Sequence, residues 1–223
     1  MRRSSAMVDL SAQLAASIEH TRLAANTTRR DVEQLCSEAL QHGFFGVCVN
    51  PLFVAAARAA LGNSAPRVVT VVGFPLGATL PAVLAHETRQ VLALGAHEID
   101  MVIPVGAALE GDFEQVTQHV QAVREASPSA VLKIILETGY FNSQQIEACA
   151  KAALRAHPQF LKTSTGFGPR GASLEDVRQL KALCPAGVGV KASGGIRTRA
   201  FALELLGAGA TRLGTSSSIA LLG

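Results

Sequence analysis

The sequence has no tryptophan, one tyrosine and only 4% aromatic residues across its 223 positions. A nucleic-acid surface needs a basic stripe, usually interleaved with stacking rings. The fifteen arginines are scattered instead, so a nucleic-acid partner is not expected. The net charge of +3 is mild and compatible with phosphorylated substrates. No apolar run approaches the roughly 20 residues of a membrane span. The opening MRRSSAMVDL carries two arginines with no signal-type apolar core behind them. Residues 1–12 therefore read as a frayed N-terminal extension, and the chain as cytoplasmic with no membrane partner. Cysteine is also sparse: Cys36, Cys48, Cys149 and Cys184 form no CxxC pair and have no metal-like spacing with histidine. Reduced thiols, no structural zinc and no metal site follow.

Lysine is the most informative shortage. There are five, at 133, 151, 162, 181 and 191, and none in the first 132 residues. Surface positive charge is evidently left to arginine. Yet Lys133 lies in VLKIILET, Lys162 in QFLKTSTG and Lys191 in VGVKASGG, all short apolar runs of strand character. A buried lysine is costly unless paired or neutral. Only a lysine amine, never a guanidinium, loses its proton near neutral pH and attacks a carbonyl. Lys133, Lys162 and Lys191 are also evenly spaced, 29 residues apart.

With 48% hydrophobic and 17% charged residues, the chain reads as one cored domain over 1–223. Short β-branched runs alternate with alanine-rich segments of helical period. Strands are expected at 17–20, 45–49, 67–73, 98–104, 131–137, 160–162, 188–191 and 212–214. Thr28-Arg-Arg-Asp31 resembles a capping box. Helices are expected over 80–94, over 144–157 behind Asn142 or Ser143, from Ser173, and over 199–206 between Thr198 and Gly207. Eight βα units of continuous apolar strands predict a compact parallel (β/α)8 barrel. An open doubly wound sheet is the alternative.

Barrel active sites form at the C-terminal strand ends. The polar residues expected there are Glu19, His20, Cys48, Asn50, Asp100, Glu137, Lys162, Thr163, Ser164, Lys191 and Ser193. Lys162 is the candidate nucleophile, against the alternative of a snorkelling strand-end lysine. Lys191 falls one βα unit later at the same depth. Two like charges in a desolvated site depress at least one pKa, and the two titrate as a pair. Asp100, inside an apolar strand, suits proton transfer, against the alternative of a structural ion pair. Glu98, read as lying at the strand start or on the opposite pleat face, ranks below it. Lys133 and Glu137 are four apart and are expected to share a pleat face and support the site. The turns Ser193-Gly194-Gly195 and Gly214-Thr215-Ser216-Ser217-Ser218 follow the last two strands, where barrels often bind phosphate.

These residues resemble the deoxyribose-phosphate aldolase family of class I, Schiff-base aldolases. The resemblance runs from about Ile18 to Leu222. It rests on GVCVNP (46–51), VVGFPLGA (71–78), EIDMVIPVGAALEGD (98–112), KIILET (133–138), FLKTSTGFGP (160–169), VKASGGIRT (190–198) and RLGTSSSIALL (212–222). It implies reversible cleavage of 2-deoxy-D-ribose 5-phosphate to acetaldehyde and D-glyceraldehyde 3-phosphate, with no cofactor. It implies a Schiff base at Lys162, tuning by Lys191 and a proton relay through Asp100. It assigns phosphate binding to Gly166, Gly194, Gly195, Gly214, Ser216 and Ser217, and places Cys48 beside the pocket. The family's usual first-strand Asp-His-Thr-Leu-Leu-Lys-Pro is here Glu19-His-Thr-Arg-Leu-Ala-Ala25, so a carboxylate contact shifts. Phe167 stands where some members carry a lysine, which leaves phosphate affinity to backbone donors and Arg197. The same chemistry allows another phosphosugar aldolase or transaldolase, and the altered first strand allows a non-catalytic phosphosugar-binding barrel. Barrels of this type often pair, so a homodimer is a candidate assembly.

Overall fold

The computed structural model describes residues 10–223. Its eight strands are β1 (Ile18–Arg22), β2 (Gly46–Val49), β3 (Arg67–Val72), β4 (Glu98–Val102), β5 (Val131–Ile135), β6 (Phe160–Lys162), β7 (Gly189–Ser193) and β8 (Arg212–Thr215). All pair in parallel in chain order, and β8 closes on β1. At least one helix follows each strand. The (β/α)8 expectation therefore holds, and the doubly wound alternative does not.

The strand ends differ from expectation for local reasons. β4 stops at Val102 because Pro104 has no amide to extend the ladder and instead caps helix Val105–Glu110. β5 stops at Ile135 because Glu137 adopts a left-handed φ of 56° and turns the chain into Thr138–Tyr140. Thr28 and Asp31 form the full capping box of helix Arg29–His42. Asn142 and Gln145 form a second one on helix Ser143–Leu154. Helix Arg199–Gly207 runs one residue further than expected, with Gly207 as its last residue, and Gly209 makes the turn at φ 114°. Of the frayed start expected over 1–12, residues 1–9 lie outside the described residues. Residues 10–12 are not frayed: they belong to a helical segment over 10–16 whose Leu14 and Ala15 are buried.

Strand side chains alternate between two buried environments. Outward residues such as Ile18, Val47, Ile99, Ile134, Leu161, Val190 and Leu213 meet apolar helix faces, for example Val32, Leu84, Val120 and Leu180. Inward residues divide the lumen. Cys48, Val69 and Val71 make an apolar side with Leu23 and Phe74. Charged side chains from β1, β4, β5, β6, β7 and β8 make the other. With both faces covered, most strands read as short apolar runs into which these charges are set.

Candidate active site

Asp100 lies at the centre of the lumen, fully buried. Its Oδ1 accepts from Lys133 Nζ at 2.9 Å. Its Oδ2 accepts from both Lys162 Nζ at 2.7 Å and Lys191 Nζ at 2.6 Å. Lys162 and Lys191 are register partners on adjacent strands, so their ammonium groups converge from equal depth. Lys191 also bonds Glu19. Glu19 Oε1 lies 3.3 Å from Lys133 Nζ and 3.0 Å from Arg212 Nη1. Glu98 Oε2 completes the network at 2.6 Å from Lys133 and 3.4 Å from Arg212. The Arg212 guanidinium sits 3.2 Å above the Phe45 ring centre, a cation–π contact at the N-terminal end of the strands.

This arrangement separates the two reacting-pair candidates electrostatically. Burial pushes the Lys162 ammonium below its ordinary pKa. Asp100 opposes that without reversing it, and the Lys191 charge adds to it. Burial also disfavours charge on Lys191, but Asp100 and Glu19 together outweigh it and raise the pKa. The difference lies in the number of carboxylates, one beside Lys162 and two beside Lys191. Lys133 is raised too, since Asp100, Glu19 and Glu98 overcome its burial. Burial alone would raise the Asp100 pKa, but Lys133, Lys162 and Lys191 hold it well below the carboxylate range. The Cys48 thiol is pushed up by burial to about 11, so it stays protonated at neutral pH. Ligand atoms of Glu19, Cys48 and Asp100 lie within 4.8 Å of one another. Both carboxylates are already held by lysines and the thiol keeps its proton, so this cluster does not suit a cation.

Lys162 is the network member that reaches the open mouth. It lines a cavity of about 480 Å³ together with Gly166, Gly194, Gly195, Gly214, Ser216, Ser217 and Arg197. Residues at and after the ends of β1, β6, β7 and β8 line this cavity. Ser193 Oγ donates to Ser164 O, and Ser193 N donates to Thr163 Oγ1 at 3.1 Å, joining the ends of β6 and β7. Arg170 clamps Asp176 and donates to Thr138 O at 3.1 Å, holding the loop after β6 against the turn after β5. Gly194 has φ 87°, and a Cβ there would sit 2.9 Å from Gly171 Cα and from Ser164 Oγ, so only glycine fits. Phe74 and Phe167 meet edge to face at 5.4 Å between ring centres; Phe167, which lines the cavity, is 57% exposed.

Several expected placements change. Lys133 pairs in register with Phe160, whereas Lys162 pairs with Ile135. Strand stagger thus puts Lys133 one inward layer deeper, although the sequence spacing is equal. Glu137 does not share a face with Lys133. Its left-handed backbone turns it away, and Oε2 accepts from Thr165 N at 3.1 Å and from Thr165 Oγ1. Glu98 shares the inward parity of Asp100, two residues on, and belongs to the network. His20 points out of the barrel to Glu38 at 2.7 Å and packs near Phe44. Asn50 donates to Leu23 O at 3.2 Å. A Cβ on Gly214 would lie 3.1 Å from Lys191 Cε, so this glycine also makes room for that lysine. Ser217 N already donates to Thr215 Oγ1 at 3.0 Å. The sequence reading missed Arg212, although its place at the head of an inward-alternating strand was a usable signal. It also missed Thr21, Arg22 and Thr165 in the cavity wall.

A family model described as DeoC/LacD family aldolase matches residues 12–217. The chain is 52% identical over 209 residues to a deoxyribose-phosphate aldolase of Thermus thermophilus, covering 94% of this chain and 95% of that one. It is 47% identical to the enzyme of that name from Deinococcus radiodurans, with the same coverage. A solved structure, the tetrameric deoxyribose phosphate aldolase of Aeropyrum pernix, superposes with a TM-score of 0.89 at 33% identity, covering 95% of this chain and 90% of that one.

Proposed function

Because the chain belongs to the DeoC/LacD family of aldolases, we propose that it cleaves 2-deoxy-D-ribose 5-phosphate reversibly to acetaldehyde and D-glyceraldehyde 3-phosphate. One observation carries the reading. The cavity-facing amine is that of Lys162, whose ammonium form burial disfavours, while its two lysine neighbours are held charged.

Lys162 Nζ, in its free form, attacks C1 of the open-chain aldehyde and gives a carbinolamine. Loss of water leaves a protonated imine at C1, whose α-carbon C2 carries the C2–C3 bond to be broken. The C3 hydroxyl gives up its proton through water to the carboxylate of Asp100, and the C2–C3 electron pair moves into the imine. D-Glyceraldehyde 3-phosphate departs and an enamine remains on Lys162. Protonation at C2 through the Asp100–Lys191 pair restores the iminium, and water releases acetaldehyde and the amine. Asp100 accepts from both lysines and can pass a proton either way without moving. The loops carrying Gly166, Gly194, Gly195, Gly214, Ser216 and Ser217 hold the phosphate, with charge from Arg197. Cys48, Glu19 and Lys133 act behind the pocket, and Glu137 acts by fixing the Thr165 loop. The residues in these roles come from the protein alone, with no cofactor or metal.

The chain acts as one domain. A charged phosphosugar substrate and four unpaired cysteines suit a cytoplasmic enzyme. Leu52, Leu76 and Leu80, exposed by 82%, 71% and 69%, offer apolar surface for a homodimer, which sedimentation velocity tests.

Borohydride reduction in the presence of acetaldehyde or the deoxysugar phosphate, followed by peptide mass mapping, tests the mechanism. A stable adduct on Lys162 is expected. An adduct elsewhere, or none, rules the mechanism out.

A further inference from the structure

The buried network holds four cations, Lys133, Lys162, Lys191 and Arg212, and three carboxylates, Glu19, Glu98 and Asp100. With every group in its ordinary neutral-pH form, the lumen carries one uncompensated positive charge in a water-poor space. Such a charge is expensive, and the network can shed it only by proton loss. A guanidinium does not lose its proton. Of the lysines, Lys133 faces three carboxylates and Lys191 faces two. Lys162 faces Asp100 alone, and shares that oxygen with Lys191.

We propose that Arg212 is a positioning residue for the reacting amine. From the opposite end of the barrel it supplies the permanent fourth cation, and that excess charge is relieved by deprotonation of Lys162. The link runs through carboxylates. Arg212 occupies Glu19 Oε1 and Glu98 Oε2, which limits what those groups can offer the lysines. The rings of Phe45 and Phe160 hold the guanidinium at 3.2 and 5.2 Å and keep the charge in place. Arg212 does not line the substrate cavity, so it acts only through the network. The groups facing Lys162 from the surrounding strands are Asp100, Lys191 and the thiol of Cys48, with Lys133, Glu19, Glu98 and Arg212 behind them.

This inference rests on Lys162 being the Schiff-base lysine. The test is the acid limb of the pH profile of kcat/KM for deoxyribose 5-phosphate cleavage. Arg212→Met removes a cation, lets Lys162 keep its proton, and should move the limb up by about one pH unit. Glu98→Gln removes an anion and should move the limb down. Arg212→Lys should restore the wild-type limb. Shifts of opposite sign are not produced by loosened packing, which would lower activity without moving the limbs apart. If Arg212→Met does not fold, Glu98→Gln and Arg212→Lys decide the matter. A Glu98→Gln limb that stays put or rises overturns the proposal, as does an unmoved limb in Arg212→Met. Trapping of Lys162 in the unmodified enzyme separates the two failures. No trapped adduct removes the aldolase reading, whereas a trapped adduct with unmoved limbs removes only the role of Arg212.

Discussion

Lys162 and Lys191 donate to the same oxygen of Asp100, at 2.7 and 2.6 Å, from adjacent strands in register. A single carboxylate oxygen cannot neutralise two ammonium groups. Glu19 supports Lys191 from behind, so the deficit falls on Lys162. The lowered pKa of Lys162 thus arises from unequal sharing of counter-charge rather than from burial alone, because all three lysines are buried.

Asp100→Asn is the most damaging conservative change expected. It removes the shared acceptor and leaves three buried lysines short of negative charge. Turnover should fall by on the order of 10²–10⁴ with loss of proton transfer, and stability by about 3 kcal/mol from broken buried pairs. Steady-state cleavage assays and urea unfolding check both. Turnover near that of the unmodified enzyme would exclude Asp100 from the relay.

Acid should unfold the protein through the same groups. The pKa of Asp100 and of Glu19 is lowered in the folded state, so each contributes stability above its unfolded value of about 4. That contribution is lost as pH falls toward the folded values. The urea midpoint should therefore decline steadily below about pH 4. The slope should flatten in Asp100→Asn. An identical decline in that variant would place acid sensitivity elsewhere.

Glu19→Asp restores the residue usual in the family's first strand, yet it should not be neutral here. Glu19 spans Lys191 on one oxygen and Arg212 on the other. A side chain one methylene shorter cannot keep both contacts without backbone movement. A loss of about 2 kcal/mol, seen as a Tm drop of roughly 4–8 °C, is expected. A Tm equal to that of the parent protein would show that the strands adjust freely.

Arg197 and Arg22 both line the cavity, and Phe167 brings no charge to it. Arg197→Met should raise KM for the phosphorylated sugar about tenfold, the value of one exposed charged contact. KM for unphosphorylated 2-deoxyribose should stay unchanged. Equal effects on both substrates would mean that Arg197 shapes the loop rather than meeting the phosphate.

Much of the barrel was legible in the sequence because strands covered on both faces leave runs of Val, Ile and Leu. The caps at Thr28, Asn142, Ser173 and Thr198 were legible because capping is a local hydrogen bond. Lys162, Lys191 and Asp100 stood out because a charge inside such a run needs a reason. The rest depended on geometry that no spacing reveals. Glu137 was assigned to a strand face, but its backbone turns left-handed two residues past the strand end. Lys133 is spaced from Lys162 as Lys162 is from Lys191, but the stagger of a closed barrel drops it one layer.

By itself the sequence determined which side chains could do lysine chemistry and how many βα units would carry them. Those depend on residue type and local periodicity. Only the tertiary structure decided which lysine is left short of counter-charge. That outcome depends on which carboxylate each ammonium reaches across the lumen, and on an arginine at the far end of the barrel that completes the count.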